Sequence, residues 1–118
     1  MSDAATQRLC LALDLIDDDA LIAEYCRLHE HVWPEIAESI RSAGIVGMEI
    51  WRTGNRLAMV MEADASFDGA AKVVADAANP KVAEWEALMW RFQQPLPWAD
   101  PGQKWVPMTR LFDLGAQS

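Results

Sequence analysis

The chain holds only two histidines, and one of them, His29, stands four residues after the single tyrosine, Tyr25, and four before Trp33. Residues at that spacing share a face if one helix runs through them. An imidazole, with a reference pKa of about 6.5, both gives and takes protons at neutral pH, and a phenol or a carboxylate can be its complement. The pair therefore suits general acid–base catalysis. It also reads as a structural pair. The same stripe carries Leu21, Ile36 and Ile40, and polar groups embedded there must find partners, since leaving one dry costs on the order of 1–3 kcal/mol. His31 falls off that face and reads as a solvated histidine.

Six tryptophans in so short a chain are more than its core readily absorbs. Indoles are packing material first, but Trp33, Trp51 and Trp85 also offer flat apolar surfaces on which a small ligand can lie. Glu49 and Glu86 are the carboxylates to follow, with Arg52 and Arg91 as prospective partners. Asp17-Asp18-Asp19 reads as helix capping, because contiguous carboxylates point in different directions and do not form a metal cage by themselves. Gly44, Gly47 and Gly54 mark turns, as no Gly-rich run joins a strand to a helix start. Cys10 and Cys26 lack metal-ligand spacing and are too few for a disulfide framework, so both are expected as reduced thiols.

The 118 residues leave room for one domain, spanning 1–118. A net charge of −8 and a pI near 4.5 disfavour phosphate backbones and anionic membrane surfaces. At 52% hydrophobic residues the chain is ordinary globular material, without the apolar run of about 18 residues that a membrane span needs. Met1 to Thr6 shows no basic region leading into an apolar stretch, so a cytoplasmic location is expected.

Gln7 to Leu15 alternates as a strand with one face well buried. The aspartate triplet caps a helical stretch from Ala20 to Arg41 that Gly44 ends. Pro34 interrupts this stretch, so the helix kinks at Trp33 or a second helix starts with Pro34 in its first turn. Ile45 to Arg52 and Leu57 to Ala63 read as a hairpin joined through Thr53-Gly54-Asn55-Arg56. A helix from Phe67 to Ala78 breaks at Asn79-Pro80 and resumes through Val82, Trp85, Met89 and Phe92, Asn79 capping and Pro80 at the first position. The Pro-rich segment from Pro95 should form a stiff loop before a last strand, Trp105 to Leu114. The order β-α-β-β-α-β is that of a ferredoxin-like α+β unit. Met48, Ile50, Met59 and Met61 stand beside Glu49 and Trp51, which puts large groups on both faces of the sheet and predicts a homodimer.

The run Tyr25-Cys26-Arg27-Leu28-His29-Glu30-His31-Val32-Trp33-Pro34-Glu35, followed by Gly44 and by Trp85-Glu86-Ala87-Leu88-Met89-Trp90, resembles the L-rhamnose mutarotase family of dimeric α+β barrel proteins over nearly the whole chain. The most specific piece is Tyr-x-x-x-His-x-x-x-Trp-Pro-Glu. The resemblance implies anomer interconversion in a free 6-deoxy-L-sugar, with His29 as proton donor, Tyr25 contacting sugar, and no metal or organic cofactor. It also implies a substrate-binding set of Met48, Trp85, Glu86 and Trp33. Rhamnose enzymes of the family carry an aromatic hydroxyl where Met48 stands and a second tryptophan where Glu86 stands. A lost hydroxyl and a gained carboxylate change which sugar hydroxyls a pocket reads. The run from Trp85 to Pro95 is closer to the branch assigned to L-fucose, which favours L-fucose over L-rhamnose.

Mutarotation asks for a base at the anomeric hydroxyl and an acid at the ring oxygen, which an imidazole and its complement supply. Two other readings stay open. One is a cofactor-independent oxygenase on the same barrel; the other is a non-catalytic module binding a small ligand.

Overall fold

The computed structural model describes residues 6–117, so the reading of Met1 to Ala5 as free of a leader lies outside the described residues. Strand β1 runs Gln7–Leu15, the range its alternation predicts. Asp18 caps α1 (Asp19–Leu28), its carboxylate accepting from the Leu21 amide at 3.0 Å. The helix does not continue through Trp33. It stops at Leu28, and α2 (Pro34–Ser42) starts afresh with Pro34 in its first turn, because a proline ring there has no N–H to lose and holds φ near the helical value. Gly44 then turns the chain at φ +93.

The hairpin pairs β2 (Ile45–Thr53) with β3 (Arg56–Ala63), and Gly54, at φ +55, makes the turn. A bulge between Ile45 and Gly47 shifts the register. It leaves Ile45 and Met48 on one face although they are three positions apart. Helix α3 (Gly69–Ala77) is capped by Asp68, and α4 (Pro80–Trp90) by Asn79, whose side-chain oxygen accepts from the Lys81 and Val82 amides.

The sheet order is β2-β3-β1-β4, with β1 and β3 antiparallel at the centre. Leu15 and Leu57 from the sheet join Tyr25, Ile36, Val82, Trp85 and Met89 in one buried cluster, which places α1, α2 and α4 over that face. This is the expected α+β arrangement. The outer edge departs from expectation: instead of one strand from Trp105 to Leu114, two short pieces share the free edge of β1. Strand β4 (Gln93–Gln94) pairs with Asp14 and Leu15, and β5 (Val106–Pro107) pairs with Leu11 and Ala12. Pro107 contributes no ladder N–H. Beyond the bond from the Met108 amide to the Cys10 carbonyl, at 2.8 Å, the chain leaves the sheet. Leu111 and Phe112, strand formers by type, end 96% and 66% exposed.

On the face away from the helices, Asp14 is buried and takes a two-pronged bond from Arg56 at 2.8 and 3.1 Å, with the Trp98 ring stacked over the guanidinium. Both cysteines are free thiols. No helix among the described residues is long and apolar enough to cross a membrane.

Candidate active site

Tyr25 and His29 meet at the end of α1, where His29 is the C-cap residue. Its Nδ1 lies 2.8 Å from the Tyr25 carbonyl oxygen. A carbonyl only accepts, so Nδ1 carries the hydrogen, and Nε2 of the neutral ring keeps the lone pair for other chemistry. The two rings pack against each other, tilted by 39°, at a centroid separation of 4.3 Å.

The rest of the site comes from elsewhere in the chain. Trp85, buried in α4, meets His29 edge-on at 5.7 Å and Trp33 edge-on at 5.1 Å. Trp33 thus reaches the site through Trp85, not by sharing a helix face with Tyr25 and His29, since it is the N-cap of α2. Phe92 packs against the Tyr25 ring, tilted, at a centroid separation of 6.1 Å. Gln93, in β4, donates from Nε2 to the Tyr25 hydroxyl at 3.2 Å.

Tyr25 is 3% exposed. Burial pushes its hydroxyl up to about 12; the Gln93 bond pulls the other way, and the negative charge of Glu86 adds to the rise. At neutral pH Tyr25 is a phenol with a proton to give. Glu86 is exposed, four positions after Val82 and three before Met89, at the margin of the buried face of α4. Its partner is Lys104, 3.6 Å away, whose ammonium also lies over the Trp90 ring at 4.8 Å. Arg91 and Arg52 do not pair with the carboxylates as expected; Arg52 bonds the Gly54 carbonyl.

Two expected residues lie apart. Met48 shares the helix-facing side of the sheet but sits opposite Met61, in line with Leu9. Leu57, the β3 member of the buried cluster, is four positions from Met61, which is about 13 Å along a strand. Met48 is not among the side chains that pack against that buried cluster. Glu49 is on the opposite face, exposed, accepting from the Trp51 indole at 3.0 Å. His31 is exposed, as its position off the stripe predicts. Gln93 is the residue sequence reasoning passed over, because its partner lies 68 positions away and no local pattern links the two. Among the described residues no three His, Cys, Asp or Glu side chains are grouped to hold a metal ion.

The arrangement offers one imidazole with a free nitrogen, one protonated phenol beside it, and an indole and a carboxylate at the margin. That is equipment for moving protons on a small polar molecule. A profile of the L-rhamnose mutarotase family matches residues 8–114. An L-fucose mutarotase of Xanthomonas campestris is 52% identical over 110 residues, covering 92% of this chain and 88% of its own length. A UPF0734 protein of Dictyostelium discoideum is 40% identical over 107 residues, covering 87% of this chain and 86% of its own. The crystal structure of an L-rhamnose mutarotase from Formosa agariphila shares the fold, with a TM-score of 0.68 at 22% identity over 92% of this chain and 98% of that one. The chain belongs to the L-rhamnose mutarotase family and is a sugar mutarotase, an isomerase acting on carbohydrates.

Proposed function

We propose that this enzyme interconverts the α and β anomers of a free 6-deoxy-L-hexose, with L-fucose preferred over L-rhamnose. The observation that carries the sugar preference is the 52% identity to an L-fucose mutarotase, together with Glu86 beside the site where a second indole is expected of a rhamnose enzyme.

His29 Nε2 takes the proton of the anomeric hydroxyl as the bond from C1 to the ring oxygen breaks. The ring oxygen leaves as an alkoxide, more basic than a phenolate, and receives the Tyr25 proton. The aldehyde rotates about the C1–C2 bond, the Tyr25 phenolate takes the hydroxyl proton back as the ring closes on the other face, and the imidazolium returns its proton to the new anomeric oxygen. Proton donation by His29 is thus the second half of its cycle; Nδ1, committed to the Tyr25 carbonyl, takes no part. Trp85 and Trp33 supply apolar surface for the sugar's C–H face. The scheme uses no metal or organic cofactor.

The enzyme acts as a cytoplasmic homodimer in this reading. Trp51, Val46 and Phe112 are each 60% or more exposed, and such apolar area is normally covered by a second copy. Sedimentation should show a dimer at micromolar concentration; a stable monomer would contradict it.

The test of activity is saturation-transfer NMR on the anomeric protons of L-fucose, L-rhamnose and D-galactose under nitrogen with catalytic protein. Enhanced exchange, fastest for L-fucose, is the expected result. Exchange faster for L-rhamnose overturns the sugar preference alone. No exchange with any sugar overturns the reading and returns the oxygenase and binding-module alternatives.

A further inference from the structure

Gln93 pairs with Leu15 across the edge of the sheet, so its side chain points, like that of Leu15, toward the helices. It is 7% exposed. One end of its amide is spent on the Tyr25 hydroxyl; the other, Oε1, is buried with no hydrogen-bond partner among the described residues. Exchanging the amide oxygen and nitrogen would leave two buried N–H hydrogens unpaired in place of one carbonyl oxygen, and orphaned buried donors are the rarer case, so the nitrogen faces the phenol. A buried polar end without a partner costs about 1–3 kcal/mol. Methionine has nearly the same length and volume and would carry no such penalty. Filling the core therefore does not account for a glutamine at this position, and what remains is its effect on Tyr25.

A phenol has a single hydrogen to donate. If its neighbour were an acceptor, the hydrogen would be drawn into the interior and away from a ligand. Because the Gln93 N–H donates to the phenol oxygen, the Tyr25 hydrogen is left for another acceptor, and the His29 ring lies beside the phenol, tilted against it at a centroid separation of 4.3 Å. We propose that Gln93 is a positioning residue: it fixes the Tyr25 hydroxyl as a donor whose proton is directed at the sugar. The proposal rests on the acid–base reading above and adds a residue to it.

The test is a double-mutant cycle with L-fucose as the probe, reading kcat and KM from NMR anomer exchange. Gln93→Met should lower kcat by about 10-fold or more with KM changed by less than about 3-fold. In the Tyr25→Phe background the same substitution should change kcat by less than about 2-fold, because the group it positions is gone. Losses that multiply, or a kcat unchanged by Gln93→Met, overturn the proposal. If Gln93→Met alone does not fold, the double variant, which leaves no polar group unsatisfied at that bond, is compared with Tyr25→Phe, and a kcat lower by more than about 2-fold overturns the proposal. A wild-type enzyme inactive on every sugar condemns the acid–base reading instead. The Gln93 arm then rests on the 13Cζ resonance of the sole tyrosine at neutral pH: a signal moved by Gln93→Met supports the positioning bond, and one unmoved overturns it.

Discussion

The Nδ1 of His29 sits 2.8 Å from the carbonyl oxygen of Tyr25, one helical turn earlier in the chain. This single bond fixes the histidine's tautomer and orients its other nitrogen. In the proposed scheme, the base is thus positioned by the backbone of the residue whose hydroxyl acts as the acid.

His29→Ala should abolish enhanced anomer exchange while leaving the fold intact, since His29 is a half-buried cap residue outside the fully buried cluster. Tyr25→Phe keeps the ring and should cost about 10–100-fold in rate. Circular dichroism alongside the exchange measurement separates lost chemistry from lost structure. Undiminished exchange in either variant removes that residue from the mechanism.

Glu86 lies 3.6 Å from Lys104 with its side chain about half exposed, which leaves carboxylate lone pairs free for sugar hydroxyls. Glu86→Gln should weaken L-fucose exchange more than L-rhamnose exchange, by about 1–3 kcal/mol if a charged hydrogen bond is lost. Parallel exchange assays on the two sugars measure this. Equal losses, or none, would place the carboxylate outside the sugar's reach.

Where local chemistry dictates structure, the sequence was readable. Pro34 and Pro80 each stand at a helix start, Asn79 and Asp18 cap, and Gly44 and Gly54 turn, because each effect acts within a few residues. The Tyr25/His29 pair was legible for the same reason, being one turn apart. Trp33 reached the site by another route, through a contact with Trp85 that no short-range pattern encodes. Gln93 and the buried Asp14–Arg56 pair were invisible because their partners come from distant strands. The segment Trp105 to Leu114 misled in the opposite direction: its residue types favour a strand, but only Val106–Pro107 pairs with the edge of β1, Leu111 and Phe112 beyond it have no pairing partner, and propensity without one makes no sheet.

Gly44 is a position where any side chain should be felt. It sits at φ +93, and a Cβ there would lie 2.5 Å from the Ser66 hydroxyl and 2.7 Å from the Asp64 carboxylate. That carboxylate is held below its usual range by hydrogen bonds from the Ser66 hydroxyl and amide, and the Asp64 amide donates to the Gly44 carbonyl at 2.8 Å. Gly44→Ala should destabilise the fold by about 1–3 kcal/mol. Urea unfolding gives the number, and a variant as stable as the parent would show that this turn relaxes freely.

The buried Tyr25 hydroxyl makes an alkaline prediction whose sign follows from its surroundings. Burial pushes its pKa up to about 12, whereas an unfolded tyrosine ionises near 10. The folded state therefore holds the proton more tightly, and between those values the unfolded chain binds fewer protons. The stabilisation is fully present below about pH 10 and is lost as pH rises toward 12, an amount of about 2–3 kcal/mol for a two-unit difference. Because the chain has one tyrosine, the ultraviolet absorbance of the phenolate reports this group alone. The urea midpoint should fall over the same alkaline range, and Tyr25→Phe should flatten that part of the decline. A phenolate step near pH 10 in the folded protein, with no change in unfolding free energy across it, would mean that the hydroxyl is solvated, and would remove both the raised pKa and the closed aromatic site built around it.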